Sequence, residues 1–216
     1  MEHVDARYAA LLHQLPFNPY SQYCYWDGDT LIWKVNALTS EASEHLVEPL
    51  RHLDNVELKA VNTSLEVIRS SQVTMGLKTL LDTVKEPVDS RLRVQFVTPT
   101  AFKSKGSYVI VPTVRLMLQN LLMHYGQVYD NDKEGYDETI EYVDQHIRIT
   151  AYSLHSSYFG NVAGDGKKIP AFVGTMTLGL HGPDMTAGLA NMLLKFGEFA
   201  GVGIKTSMGM GGFRCL

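Results

Sequence analysis

The chain has little of what would commit it to several common classes. It has only two cysteines, Cys24 and Cys215, too few for a disulfide framework or a thiolate metal cluster, so free thiols are expected. No run approaches the roughly 18 apolar residues of a membrane-spanning helix. No charged-then-apolar leader opens the sequence, so a membrane is not expected as a partner and the expected location is cytoplasmic. His-Glu-x-x-His, Cys-x-x-Cys and the paired acids of two-metal nucleases are all missing, so neither metal nor cofactor is expected. Positive charge is short as well, with 19 Lys and Arg against 23 Asp and Glu.

That last shortage is uneven. Residues 1–86 carry seven basic and twelve acidic residues, and residues 130–144 carry one lysine among seven acids. The remainder of the second half has eleven basic residues and four acids. A basic surface on the C-terminal half is therefore compatible with an acidic total.

What is plentiful is glycine, and it gathers at the end. Six of the 18 glycines lie in the last twenty residues. Gly201, Gly203, Gly209, Gly211 and Gly212 surround one cation, Lys205, and two hydroxyls, Thr206 and Ser207. Bare backbone beside a lysine and hydroxyls suits a phosphate or a phosphodiester backbone. A Walker A loop needs glycine directly before its lysine, where Ile204 stands here. A dinucleotide fingerprint precedes a helix, whereas these glycines follow one, predicted over 185–199. A plain helix cap and turn at Gly201 is the structural alternative.

Taken in order, apolar spacing predicts a helix over 4–14, ended by Pro16 and Pro19. Tyr20–Trp26 and Leu31–Asn36 read as strands joined by Asp27-Gly28-Asp29, a hairpin signal. Thr39 to Glu41 opens a helix reaching Leu50, and alternation over 56–68 indicates strands. Helix–strand–strand–helix–strand is a ferredoxin-like βαββαβ unit lacking its initial strand. A short helix at 75–81 leads to a boundary at Lys85-Glu86-Pro87. Beyond it come a strand over 91–97, a polar loop over 98–106 and a strand over 108–111. A helix over 114–125 and a strand over 147–159 follow, then a turn over 160–166 and a strand over 173–180. The last helix and the glycine-rich stretch close the chain. The expected fold is α+β, with tandem ferredoxin-like (RRM-like) βαββαβ domains. Residues 1–86 form the incomplete first domain and 87–216 form the second, which carries the glycine-rich loop.

Several stretches resemble the CRISPR-associated endoribonucleases that process precursor CRISPR RNA. They are the glycine-rich end over 201–213 with the helix before it, the 98–108 segment, Ile169 to Gly174, and Leu11 to Gln14 with Asn18 to Tyr20. The resemblance implies tandem ferredoxin-like domains and metal-independent cleavage of CRISPR repeat RNA. It implies precursor and mature repeat RNA as partners, with a CRISPR effector complex and a second copy of the chain as further candidates.

RNA carries its own nucleophile, the ribose 2′-OH. Cleavage without a metal needs a base near that hydroxyl, a donor for the developing phosphorane charge and an acid for the leaving 5′-oxygen. The expected products are a 2′,3′-cyclic phosphate and a 5′-hydroxyl end. Histidine suits the acid or base role. His45 and His52 read as solvated, His124 as a core or helix-end residue, and His146, His155 and His181 carry no signature. His13 ends a helix before a proline-bounded turn, and the resemblance assigns it the catalytic role. Lys103, Lys105, Lys167, Lys168, Lys205 and Arg214 are the candidate phosphate contacts, with Gly201, Gly203, Gly209, Gly211, Thr206 and Ser207. Tyr158, Phe159 and Phe102 offer stacking surfaces, with core packing the better reading for both phenylalanines. Two alternatives stand beside the endoribonuclease: a non-catalytic CRISPR RNA-binding protein of the same superfamily, and a ferredoxin-like regulator binding a small ligand.

Overall fold

The computed structural model describes residues 6–15, 17–129, 135–160 and 168–216. The expectations for Val4, Pro16, the start of the acidic stretch, most of the 160–166 turn and Lys167 lie outside these residues. Helix α1 (Ala6–Leu12) precedes the hairpin of β1 (Tyr20–Asp27) and β2 (Thr30–Ala37). Its register runs without a slip from Tyr20↔Ala37 to Asp27↔Thr30, closed over Gly28-Asp29. Helix α2 spans 40–50. Thr39 caps it, its Oγ1 accepting from the Ala42 N–H at 3.1 Å. Pro49 cannot donate to the His45 carbonyl and crowds it. The turn ahead, Ser43–Val47, widens to π geometry, with the Glu48 N–H bonded to the Ser43 carbonyl. Tyr8 and Leu12 of α1 and Ala42 and Leu46 of α2 bury together against Tyr20 and Ala37 of the hairpin.

Strands β3 (Asn55–Leu58) and β4 (Thr63–Glu66) form a second hairpin, shorter than the expected strands. In the ferredoxin-like 4-1-3-2 order, the first strand bridges the third and fourth. No described strand occupies that position here, and the two N-terminal hairpins remain separate sheets. Helix α3 (Leu77–Asp82) follows, and its Leu80 enters the main core.

The C-terminal unit is complete. Strand β5 (Arg91–Thr100) outruns its expected end. The expected polar loop is a further hairpin, β6 (Phe102–Ser104) with β7 (Ser107–Val109). Phe102 is buried in the core and so anchors it. Helices α4 (Val114–Tyr129) and α5 (Tyr136–His146) precede β8 (Ile147–Gly160), which pairs antiparallel with β9 (Lys168–Leu180). Helix α6 (Asp184–Ala200) leads through the glycine-rich loop to β10 (Phe213–Cys215). The sheet order is β10-β5-β9-β8, the ferredoxin-like 4-1-3-2. Helices α4 and α6 cover one face, with Met117, Leu121, Leu193 and Phe196 packed over Val94, Phe96, Met176, Leu178 and Phe213.

The N-terminal hairpin docks on the end of α6. Ser21 Oγ donates to the Phe199 carbonyl at 2.5 Å and accepts from Asn36 Nδ2 at 2.9 Å, while Lys34 Nζ donates to the Glu198 carbonyl at 3.2 Å. Carbonyls at a helix C-terminus lack partners within the helix and carry the negative end of its dipole, so a hydroxyl and an ammonium suit them. Burial pushes the Lys34 ammonium below its ordinary pKa, against the opposing pull of Glu198. These polar groups tie the hairpin to the end of α6, and Leu38, Leu80 and Phe17 add an apolar join to the main core.

Candidate nucleic-acid interface

The glycine-rich loop is a packed element. Gly201, Gly203, Gly211 and Gly212 are buried, and their N–H groups bond within the protein. Gly201 donates to the Gly197 carbonyl and Gly211 to that of Pro99. Gly203 donates to Asn120 Oδ1 at 2.7 Å, and Gly212 to Thr98 Oγ1 at 2.8 Å. These bonds explain the glycines by close approach. A Cβ on Gly203 would lie 2.4 Å from the Ala101 carbonyl oxygen, and one on Gly211 2.2 Å from that of Val202. The expectation of four bare, ligand-facing backbone groups is therefore corrected. Gly209 differs: it is half-exposed, and the nearest atom to an added Cβ is Phe159 Cε2 at 3.9 Å.

Thr206 and Ser207 are buried too. Ser207 bonds the Tyr20 hydroxyl, and its carbonyl accepts from Gln22 Nε2 at 2.8 Å. Burial is the larger influence on Tyr20 and lifts its hydroxyl above the ordinary tyrosine pKa. The loop thereby leans on the start of β1. Tyr20 also packs on the α1–α2 cluster that holds Leu12, so the helix ending beside His13 and the glycine-rich loop share a support. His13 itself is exposed.

A backbone bond sets the loop that carries Lys205 beside the start of the hairpin that carries Lys103 and Lys105. The Ile204 N–H bonds the Ala101 carbonyl at 3.0 Å. Lys205 follows Ile204, and Lys103 and Lys105 follow Ala101 in the β6–β7 hairpin. All of Lys103, Lys105 and Lys205 are exposed. Lys105 and Lys205 sit at φ 48° and 56°, in the left-handed region that glycine and asparagine fill at lower cost. Lys168 is exposed at the end of the β8–β9 hairpin, whose Phe159, Ile169 and Ala171 pack on Met210, Ile204 and Ala101. Phe102 is buried and Phe159 half-buried, as core packing required, while Tyr158 is exposed.

Arg214 belongs to a different group. Its guanidinium lies 4.3 Å from the Tyr25 ring centre. Both line a cleft of about 510 Å³ between the N-terminal hairpin and the C-terminal sheet, with Trp26, Gln95 and Thr98. Nearby, burial and Glu198 push the Cys215 thiol up to about 12, so it stays protonated.

Sequence reasoning passed over Asn120 of α4, while its reading of His124 as a core or helix-end residue agrees with the burial of that ring. Asn120 holds Gly203 from both sides, with Nδ2 also 3.5 Å from the Gly203 carbonyl. Burial lowers His124 to about 4, leaving it neutral. The available signal was two polar residues one turn apart on a largely apolar helix.

A complete ferredoxin-like unit that folds its own glycine-rich loop, with a second, partial unit docked at that loop, defines a tandem ferredoxin-like protein. The family described as CRISPR-associated endoribonuclease Cas6 matches residues 94–213. A CRISPR-associated endoribonuclease Cas6 of Streptococcus thermophilus is 35% identical over 215 residues, covering 99% of this chain and 87% of that protein. One from Mycobacterium tuberculosis strain H37Rv is 36% identical over 218 residues, covering 99% and 68%. The chain belongs to the Cas6 family of CRISPR-associated endoribonucleases. Among solved structures, a Cas6 product complex superposes with a TM-score of 0.79 at 22% identity, over 97% of this chain and 87% of that one. Thermus thermophilus Cas6 gives a TM-score of 0.70 at 22% identity, over 96% and 83%. These two likenesses bear on the fold alone. With the family comes the activity class, an endoribonuclease of CRISPR RNA processing.

Proposed function

We propose that this chain matures precursor CRISPR RNA by a metal-independent cut within the repeat. The ribose 2′-OH attacks the adjacent phosphorus, the P–O5′ bond breaks, and a 2′,3′-cyclic phosphate and a 5′-hydroxyl end form. His13 transfers the proton, either from the 2′-OH or to the leaving 5′-oxygen. Its support is an exposed side chain at the end of α1, on the flank where Tyr20 ties that helix to the glycine-rich loop.

The RNA lies over Lys103, Lys105, Lys205 and Lys168, with Gly209 as the point of close backbone approach. Gly201, Gly203, Gly211, Thr206 and Ser207 serve the same surface by holding its shape. The observation that carries this reading is the left-handed backbone of Lys105 and Lys205. A lysine kept where glycine would relax the chain is kept for its side chain, and backbone strain of this kind gathers at functional sites.

The test is a labelled repeat RNA incubated with the protein in EDTA. One discrete cut is expected, with a cyclic phosphate at the new 3′ end. His13→Ala should bind with near wild-type affinity and cut about 10²–10⁴-fold more slowly, and a 2′-deoxy sugar at the cut should leave the RNA bound and whole. Wild-type binding without cutting would make the chain a non-catalytic CRISPR RNA binder. Cleavage abolished by EDTA, with His13→Ala fully active, would overturn the metal-free route.

A further inference from the structure

Helix α4 carries a polar pair that the reading above leaves unused. His124 Nε2 lies 3.5 Å from Asn120 Nδ2, and Asn120 grips Gly203 through its short Oδ1 bond. On its other side the His124 ring meets Phe17, with centres 5.1 Å apart and planes tilted by 45°. Phe17 closes the short segment that begins at His13, and it packs on the main core. The imidazole Nδ1 is buried and, among the described residues, has no hydrogen-bond partner.

Leucine or phenylalanine would fill this gap without an unpaired nitrogen, so the histidine is a costly way to occupy the space. It does one thing that they cannot. A neutral imidazole can accept a hydrogen bond at Nε2 from the Asn120 amide N–H, which turns Oδ1 toward the Gly203 N–H. The chain of contacts runs Phe17, His124, Asn120, Gly203, from the His13 segment to the glycine-rich loop.

We propose that Asn120 and His124 are positioning residues that hold the glycine-rich loop in register with the segment bearing His13. Neither touches the reacting atoms. The proposal rests on the function given above, because register matters only if His13 and the loop act on one RNA. Holding reacting groups in place acts on the rate of the bound complex more than on affinity.

Asn120→Ala and His124→Leu are the variants, each studied well below its unfolding temperature. Single-turnover cleavage at saturating protein should fall at least about tenfold while the RNA Kd moves less than about threefold. Asn120→Asp, which keeps the Oδ1 acceptor for Gly203 but loses the Nδ2 donor to His124, should recover only part of the rate. Independently of RNA, amide hydrogen exchange should quicken in both 14–20 and 201–209 for either variant. Unchanged exchange in one of these two segments overturns the proposal. A rate and an affinity that fall in equal proportion also overturn it, since that marks general loosening. If the wild type cuts no repeat RNA, the functional reading fails, and the paired exchange response alone decides whether the two segments are linked.

Discussion

His124 gives the protein an acid-sensitive core, and the size of the effect follows from its burial. Its pKa falls from 6.5 to about 4, with desolvation as the cause. The folded chain therefore refuses a proton that the unfolded chain accepts. Above pH 6.5 both states hold a neutral imidazole and stability is at its full value. As pH falls below 6.5 the unfolded state gains protons first, and stability drops until the folded state protonates near pH 4. Two and a half units at ~1.4 kcal/mol each put the loss at ~3 kcal/mol. Carboxylates titrate in part of the same window, so the measurement is a difference. Urea unfolding of wild type and His124→Leu is compared at pH 7.5 and 4.5. The variant should lose ~2–3 kcal/mol less than wild type between those two values. A wild-type-to-variant gap that is equal at both pH values would refute the claim that His124 is neutral and buried.

Gly203→Ala should cost roughly 3 kcal/mol or more in chemical denaturation, because its Cβ would meet the Ala101 carbonyl and its φ of 93° disfavours a side chain. Gly209→Ala meets no such wall and should lose ~1 kcal/mol of stability from its backbone conformation alone, with its larger effect on RNA affinity. Lys205→Gly should leave stability within ~1 kcal/mol of wild type or raise it, yet weaken repeat-RNA binding and flatten the plot of log K against log salt by ~0.7–0.9. An unchanged salt slope would make the lysine a bystander. Ser21→Ala should cost ~1–3 kcal/mol, read from urea midpoints, since the Phe199 carbonyl and the Asn36 amide both lose their partner in a buried place.

Much of the frame was legible because local rules and tertiary demands agree there. Asp27-Gly28-Asp29 supplies a turn whose flanking strands then pair residue for residue. Strand β5 alternates cleanly because one face meets helices and the other does not. The 98–106 segment misled for a physical reason. Its threonines, serine and lysines look like loop, but Phe102 reaches the core and Lys105-Gly106 takes the two positive φ values of a hairpin turn. Neither depends on a pattern long enough to read. The separate β3–β4 hairpin is equally hidden, since alternation marks a strand without naming its neighbour.

The glycine-rich stretch shows how composition can point to a site for a reason other than the apparent one. Five glycines beside a lysine look like backbone offered to a ligand. Four of them are buried, and their N–H groups are bonded to the protein itself. Their missing side chains let strand β5, helix α4 and the loop approach within van der Waals reach. That close packing pins Ile204 to Ala101 and leaves the following Lys205 little freedom except its left-handed turn. A rigid backbone that presents one cation loses less entropy on binding a phosphate than a mobile one does. Sequence could show that side chains were absent here. Which atoms come close in their place, and so which glycine faces outward, depends on Ala101, Thr98 and Asn120, residues about eighty to 115 positions away in the chain.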